Sequence, residues 1–239
     1  MSAVNKTLKI LDLFMDTEHS LGVTEVAKLT DMNKTTVYRI LSVLEKSGYL
    51  ERQKRKYSFS VKKIVTLSRV IMTRLKIRNI ALPFLHDLSR AVDETAQLAV
   101  SLGNVAYNIE TVYTTQMLHV RPGNENIIDL YSTGTGKIFL SHMSEAEFQN
   151  YCQIVPLTPK TPNTITDINE LKRELKKIKR DGVSFDREEH ILGIVGIAAP
   201  VTDSKGKIVA AIGIVAPKLR VNRQKMAEIG VTIKEYAAN

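Results

Sequence analysis

The sequence predicts an α+β protein, and three observations support this fold class. Its 239 residues suit two hydrophobic cores better than one. Helical apolar spacing and a basic hairpin fill the first 60 residues, whereas strands and helices mix without a βαβ order after residue 80. Positive charge is uneven: residues 1–80 hold sixteen Lys and Arg against seven Asp and Glu, and the rest holds eighteen of each. We therefore expect three parts: a DNA-binding domain at 1–60, a connecting helix at 61–78 and a further domain at 79–239.

Composition narrows the class of protein. Apolar residues make up 44% and charged residues 25%, as is usual for a soluble globular protein. No run of eighteen uncharged apolar residues is present, and the chain start has no signal-peptide pattern, so we expect a cytoplasmic protein with no membrane partner. The single cysteine, Cys152, excludes an internal disulfide. The net charge of +9 falls entirely in the first third, which favours a polyanionic partner for that part or, more simply, a solvated basic face.

Two short helices are predicted before residue 31. Residues 5–16 carry apolar side chains at helical spacing, and Asn5 is placed to cap this first helix. In the second helix Thr24 is the expected cap, and the small Ala27 would let a further helix approach closely. The expected buried side of that helix consists of Val26, Ala27 and Leu29.

A third helix follows the break at residues 31–33 and ends at Gly48. Its apolar stripe consists of Val37, Ile40, Leu41 and Leu44. The polar side chains of its first turn and opposite face are the candidate DNA-reading residues: Lys34, Thr35, Thr36, Tyr38 and Arg39. Two short helices around a tight turn form the helix-turn-helix that enters the major groove, where Lys, Arg and Thr reach base edges or phosphates.

A basic hairpin is predicted at residues 49–59. Two short β-type runs flank a positively charged tip, which is the pattern of a wing. Arg52, Lys54, Arg55 and Lys56 are expected to follow DNA phosphates. Each signal alone also fits an ordinary surface helix or hairpin. Their order, combined with the local charge, predicts a winged helix-turn-helix whose partner is a double-stranded DNA operator.

A connecting helix is predicted from residue 61 to residue 78. Ile64, Leu67, Ile71 and Leu75 fall on one of its faces, and Pro83 would start the next helix. This narrow stripe can pack against its twin in a homodimer or against its own chain. Because helix-turn-helix proteins read two half-sites related by two-fold symmetry, a dimer is favoured.

The remaining chain is predicted to form an antiparallel sheet with helices. Expected helices lie near residues 82–92, at 138–143 and at 168–180. Pro122-Gly123-Asn124 and Asp203-Ser204-Lys205-Gly206 are expected turns. The expected strands are Thr95–Leu102, Val105–Val112, Met117–Val120, Asn126–Leu130, Ile194–Val201 and Ile208–Val215.

Two local patterns suggest more than a scaffold. Thr133-Gly134-Thr135-Gly136-Lys137 precedes a helix and is no P-loop, but it can aim free N–H groups at a carboxylate; ordinary helix capping explains it equally well. Residues 195–200 and 212–217 echo one another, and each contains a glycine inside a strand. Such glycines mark the close approach of a ligand or of another backbone, or a bulge.

The order of these motifs resembles the IclR family of bacterial and archaeal transcription regulators. The resemblance rests on residues 34–41 with 48–50, on residues 130–137, and on Asp186-Arg187-Glu188-Glu189-His190-Ile191-Leu192-Gly193 leading to 197–201. It covers essentially the whole chain. It implies a GAF-like sensor domain, dimers that can pair into tetramers, and control of DNA binding by a small, usually acidic, metabolite.

Carried over by position, the resemblance also implies a ligand pocket. Its residues would be Met117, Val120, Ile128, Gly134, Thr135, Asp186, Gly196, Gly213 and Val215. The chain departs from the family where Gly196 replaces a common cysteine and where Gly213 and Val215 replace two frequent serines. These departures predict a roomier, less polar pocket floor, and hence a bulkier sugar-derived or aromatic acid rather than pyruvate or glyoxylate.

Two other functions are less compatible with the sequence. An enzyme would need a nucleophile, a base and an orienting group, and no such set is visible; Asp186, Glu188 and Glu189 are adjacent carboxylates on one short segment. The five histidines show no metal-ligand spacing, so neither a metal nor a cofactor is expected. The remaining alternative is a DNA-binding protein whose second domain only oligomerises.

Overall fold

A computed structural model describes residues 2–15, 17, 19–74, 76–121 and 127–238, without the side chains of residues 68–74. The chain divides into two compact units, residues 1–75 and 76–239. This division crosses the expected connecting segment, and the three-part division at residues 60 and 78 stays a prediction. None of the helices in the described part of the chain has the length and hydropathy needed to cross a bilayer.

The first unit contains four helices and a three-stranded sheet of order β1-β3-β2 within its described residues. Its elements are α1 (Ala3–Met15), β1 (Leu21–Gly22), α2 (Val23–Thr30), α3 (Lys34–Lys46), β2 (Leu50–Gln53), β3 (Lys56–Phe59) and α4 (Val61–Arg74). One core joins α1, α2, α3 and the hairpin, and the side chains at its centre are Ile10, Val26, Val37, Leu41, Leu50 and Tyr57. This is the predicted winged helix-turn-helix.

The helix ends in this unit differ from the expected ones. The Ser2 hydroxyl, not Asn5, caps α1, because it accepts a hydrogen bond from the Asn5 N–H (3.2 Å). Gly22 rather than Thr24 precedes α2, and its N–H donates to the carboxylate of Glu25 (2.6 Å). Leu29 is 59% exposed, so the buried side of α2 is narrower than predicted. The Asn33 side chain caps α3 by accepting from the N–H of Thr36 (2.8 Å).

The second unit is a six-stranded antiparallel sheet with helices on both faces. Its elements are α5 (Lys76–Val92), β4 (Thr95–Leu102), β5 (Val105–Val112), β6 (Ile127–Ile128), α6 (Gly134–His142), α7 (Glu145–Ile154), α8 (Ile168–Asp181), β7 (Ser184–Arg187), β8 (Ile194–Thr202), β9 (Ile208–Pro217) and α9 (Arg223–Ala238). The strand order is β6-β5-β4-β9-β8-β7. This architecture confirms the predicted α+β fold class.

The two faces of this sheet carry side chains of different size. Large apolar side chains such as Leu98, Ile197 and Ile212 form a core with α5 and α9. On the other face, α6 and α8 pack over small residues, including Ala99, Ala198 and Ala211. Because successive residues of a strand point to opposite faces, the glycines at 196 and 213 also belong to this small-residue face. Helix α6 can therefore lie close to the sheet.

Several expected elements were wrong or were missed. Residues 117–120, which the structure describes, form bends rather than a strand. Pro83 lies inside α5 instead of starting a helix. The expected turn at residues 122–124, the start of the strand at 126 and the side chains of Ile71 and Leu75 lie outside the described residues. The elements α7, β7 and α9 were not predicted.

Candidate DNA interface and ligand cavity

One face of α3 is free of the core and presents polar side chains. Val37, Leu41 and Leu44 are buried on the inner side of this helix. Of the predicted DNA-reading residues, Thr36 is half-buried, and the exposed ones are Lys34, Thr35, Tyr38 and Arg39. The structure brings all five to the outer face or first turn of the second helix of a helix-turn-helix, where this motif contacts DNA. Their role as contacts stays a prediction.

The tip of the wing is a two-residue turn, with Lys54 in the left-handed region (φ 57°). The Arg52 side chain folds back over it: Nε donates to the carbonyl oxygen of Lys54 (3.0 Å), and the guanidinium lies 5.6 Å from the Tyr57 ring centroid. Lys54 and Arg55 form no ion pair with any residue in the described ranges. Lys56 lies 3.7 Å from Glu25, so its charge is partly neutralised. Lys54 and Arg55 thus carry charges that no described residue neutralises, and their role as phosphate ligands stays a prediction.

A groove between α1 and α3 adds a cation that the sequence reasoning missed. Lys6 lines it together with Thr36 and Arg39 from the predicted DNA-reading set. Charge alone did not single out Lys6, because it lies on the first helix rather than in the helix-turn-helix pair. Its position beside Arg39 extends the basic surface of the first unit.

The second unit contains a cavity of about 180 Å³ between the small-residue face of the sheet and the N-terminus of α6. This volume is below the roughly 300–1,000 Å³ of pockets for drug-sized ligands, so it suits a compact molecule. Seven predicted pocket residues line it: Val120, Ile128, Gly134, Thr135, Gly196, Gly213 and Val215.

Two predicted pocket residues do not line this cavity. Met117 is fully exposed, because the segment that carries it forms no strand and lies outside the sheet. Asp186 is 5% exposed, lies next to the wall residue Gly196, and accepts a hydrogen bond from the N–H of Glu189 (2.7 Å). Burial raises the pKa of Asp186 to about 7.

The glycines of the cavity wall allow neighbouring elements to pack closely and do not enlarge the cavity. A Cβ at Gly213 would lie 2.7 Å from Cγ2 of Thr135, and one at Gly196 would lie 3.3 Å from Cβ of Asp186. Gly134 in turn approaches the backbone of Gly196, with 3.4 Å from its would-be Cβ to the carbonyl carbon. The expectation of a roomier pocket floor was therefore wrong, because α6 occupies the space that the missing side chains leave.

Five polar residues of the cavity wall were missing from the predicted set. They are Gln97, Asn108, Arg121, Asp129 and Thr133. A further polar wall residue, His190, was also outside the predicted set. Gln97 and Asn108 could have been noticed as polar residues inside otherwise apolar strands, whereas Arg121 lies in a loop with no local signal.

Arg121 is held in place by its neighbours in the loop after β5. Its Nε donates to Nε2 of His119 (3.1 Å), and its guanidinium lies 5.5 Å from the Tyr113 ring centroid. The Nδ1–H of His119 donates to the carbonyl oxygen of Gln116 (2.8 Å), which fixes the tautomer of the ring. Arg121 therefore lines the cavity with a side chain of restricted orientation.

The same loop is anchored to the unit by a two-point ion pair. Arg220 donates to both carboxylate oxygens of Glu94, each at 2.7 Å, and its third nitrogen donates to the carbonyl oxygen of Leu118 (2.8 Å). Glu94 is 5% exposed. Asp93 accepts a hydrogen bond from the Gln116 amide, and this bond holds the pKa of Asp93 below its usual range.

Behind the cavity, α6 is attached to β7 by a buried lysine. Lys137 is fully buried, and its Nζ donates to both carboxylate oxygens of Glu189 (2.6 Å each) and to the carbonyl oxygen of Phe185 (2.8 Å). Burial raises the pKa of Glu189, although Lys137 opposes this effect. The imidazole of His190 bonds Ser132 through Nδ1 (2.9 Å), and burial lowers its pKa. His190 is thus a neutral wall residue near pH 7.

A winged helix-turn-helix with a basic outer face, followed by a sheet domain with a cavity of mixed polar and apolar lining, is the architecture of a DNA-binding transcription regulator. Family comparison agrees. Residues 3–54 match the IclR helix-turn-helix domain, and residues 70–239 match the C-terminal domain of the bacterial transcriptional regulator IclR. The chain belongs to the IclR family of transcriptional regulators.

Individual relatives support this assignment along the whole chain. The regulator KdgR of Escherichia coli is 30% identical over 95% of this chain and 87% of its own. The crystal structure of the Thermotoga maritima IclR is 33% identical, covers 98% of this chain and 95% of that one, and has a TM-score of 0.77. An IclR homologue of Microbacterium hydrocarbonoxydans, crystallised with 4-hydroxybenzoate, has a TM-score of 0.83 at 23% identity over 99% of this chain and 96% of that one.

Proposed function

We propose that this regulator represses its target genes and that a small organic acid bound in the cavity changes its affinity for the operator. One observation carries the proposal: two anion-binding features from separate elements, the N-terminus of α6 and the guanidinium of Arg121, line the same cavity. The DNA-binding activity itself follows from the family. The identity of the ligand as an acid, and its effect on the operator, are the parts that need a test.

The N-terminus of α6 is suited to a carboxylate. The first N–H groups of a helix have no intrahelical acceptor, and the helix dipole favours negative charge there. The Thr133 hydroxyl accepts from the N–H of Gly136 (3.0 Å), which leaves the N–H groups of Gly134 and Thr135 for a ligand. Both residues line the cavity.

The charges around the cavity favour the same class of ligand. Asp129 lies 2.5 Å from Lys160, so its negative charge is compensated by a cation outside the cavity wall. Burial and the nearby Lys160 lower the pKa of His190, which keeps this ring neutral. Arg121 remains as the uncompensated charge among the described wall residues. A carboxylate on the ligand would therefore interact favourably with both the α6 helix dipole and the Arg121 cation.

Control of transcription requires that the ligand bind two states of the regulator with different affinity. We propose that the protein acts in the cytoplasm as a homodimer or a dimer of dimers. Its two wings would contact half-sites about 34 Å, one helical turn, or a multiple of that distance apart. Ligand binding would shift the population towards one arrangement of the DNA-binding domains.

The test begins with a thermal-shift screen of the full chain against keto acids, sugar acids and aromatic acids. A ligand at 100 times its Kd should stabilise the protein by about 2.7 kcal/mol. Arg121→Gln should weaken every acid that binds, while the matched control Arg223→Gln, on an exposed turn of α9, should not. The operator is obtained by selecting duplexes from a random pool, and its affinity is measured with and without the acid. A second domain that only oligomerises would give no acid response in either assay.

A further inference from the structure

Gln97 is a buried amide whose hydrogen-bonding groups are unused. It lies at the centre of β4, is 7% exposed, and has the fully buried Ala96 and Leu98 on either side. Its side chain lines the cavity and forms no hydrogen bond with any residue in the described part of the chain. The polar atoms of this amide are therefore free to bond a molecule in the cavity.

Thr135 supplies a second unused group at the same place. It is 8% exposed, lines the cavity, and its hydroxyl also lacks a partner among the residues that the structure describes. Gln97 is paired in register with Gly213, and the Cγ2 of Thr135 lies over that glycine. Residues directly opposite on neighbouring strands have side chains about 5 Å apart, so Gln97 and Thr135 are neighbours on the cavity wall.

The other polar side chains of the wall already have partners. Asn108 bonds the hydroxyl of Thr111 (2.8 Å), and His190 bonds Ser132 (2.9 Å). Thr133 is used in capping α6. Among the described uncharged polar residues of the wall, only Gln97 and Thr135 have side-chain groups without a hydrogen-bond partner.

We propose that the effector is a hydroxylated acid, and that its hydroxyl group is bound between Gln97 and Thr135. A hydroxyl both donates and accepts, so it can satisfy the carbonyl oxygen or the amide nitrogen of Gln97 together with the hydroxyl of Thr135. The carboxylate would then lie at the α6 N-terminus or at Arg121. This inference rests on the proposed function as an acid-responsive regulator, and it names the second group that the acid must carry.

The experiment is a double-mutant-type cycle. The ligand is compared with and without its hydroxyl group, and the protein with and without one side chain that would bind this hydroxyl. Calorimetry compares 4-hydroxybenzoate with benzoate, and 3-hydroxybutyrate with butyrate, on the wild-type chain and on Gln97→Met, Thr135→Val and Gln149→Met. Gln149, on the exposed face of α7, bonds Glu145 (3.0 Å) and serves as the matched control. Met keeps the length of Gln without its polar atoms, and Val keeps the methyl group that packs on Gly213.

For at least one pair, the wild-type chain should bind the hydroxylated acid about tenfold more tightly than its partner, the effect of one to two hydrogen bonds. Gln97→Met and Thr135→Val should each bring that ratio close to one, because each removes one partner of the ligand hydroxyl. The control should keep the wild-type ratio.

Two results would overturn the inference, and they can be told apart. If acids bind but each hydroxylated member binds no better than its partner, or if Gln97→Met weakens both members alike, the hydroxyl site is wrong and the acid-responsive function stands. If neither these acids nor the acids of the wider screen bind, the proposed function fails and the hydroxyl site fails with it.

Discussion

Thr135 lies directly over Gly213: a Cβ at position 213 would be 2.7 Å from the Cγ2 of Thr135. The first turn of α6 thus packs against β9 through Thr135, and the cavity lies beside this contact. Any side chain at position 213 would need that space, so the glycine and the position of Thr135 depend on one another.

The dependence predicts a compensating pair of substitutions. Gly213→Ala should lower the free energy of unfolding by about 1–3 kcal/mol, because overpacking forces Thr135 or the start of α6 to move. Thr135→Ser removes the methyl group and should restore most of that loss in the double variant. Urea unfolding of the full chain, followed by circular dichroism, measures the three variants. Strictly additive effects would show that the two residues do not touch.

Much of the fold was predictable because the strands and helices carry clear periodic patterns. The bounds of β4 and β5 agree with the sequence prediction at both ends, and β8, β9 and α8 agree within two residues. The short β7 was missed because Ser184–Arg187 has little apolar alternation and is a strand only through its pairing with β8. Residues 117–120 look like a strand in sequence, but Arg220 bonds the carbonyl oxygen of Leu118 and holds the segment as a loop.

The cavity was only partly predictable, and the reason is tertiary. The motif at residues 133–137 indicated a helix N-terminus, and this N-terminus lies at the cavity. The glycine echo indicated close approach, but the sequence did not tell whether a ligand or α6 would make that approach. Strand pairing places Gln97 on the cavity wall, and a loop held by the distant Arg220 places Arg121 there. Contacts between residues so far apart in the chain leave no local sequence pattern.

Recognition of specific DNA should depend on the outer face of α3. Arg39→Ala is expected to lower affinity for a duplex selected by the protein about tenfold or more, with little change for a random duplex, because Arg39 would read base edges. Thr35 and Tyr38 should behave in the same way. Lys46→Ala, at the exposed C-terminal turn of α3, is the control. Competition binding with both duplexes decides the matter, and equal losses on both would assign Arg39 to the phosphates instead.

The wing should contribute without reading sequence. Lys54→Ala and Arg55→Ala should each weaken binding to selected and random duplexes alike, and each should reduce the slope of log affinity against log salt by about one. Lys56→Ala should change that slope less, because Lys56 already lies 3.7 Å from Glu25. Fluorescence anisotropy over a range of salt concentrations gives the slopes. An unchanged slope for both tip variants would remove the wing from the interface.

The ion pair between Arg220 and Glu94 should keep the Arg121 loop ordered. Arg220→Met leaves the buried Glu94 carboxylate unpaired and frees the carbonyl oxygen of Leu118, so we expect a loss of about 1–3 kcal/mol in unfolding free energy. Hydrogen exchange of the amides from 114 to 121 should accelerate. Arg90→Met, which breaks the exposed pair with Asp87, is the matched control and should leave that exchange unchanged. Protection that survives in Arg220→Met would show that the loop is held by other contacts.

The buried carboxyl of Asp186 should make the stability of the second unit depend on pH. Its pKa is about 7 in the folded protein, against an ordinary value of 3.8, because burial disfavours the charged form. The unfolded chain ionises this carboxyl first, so the folded state loses stability as pH rises above about 4, and the full cost is reached above about 7. Asp186→Asn does not titrate. Its unfolding free energy relative to wild type should therefore increase by roughly 3 kcal/mol between pH 5 and pH 8. Urea unfolding at the two pH values measures this difference. A constant difference would mean that the carboxyl stays ionised in the folded protein, with Lys137 beside Glu189 as the nearest source of the compensating charge.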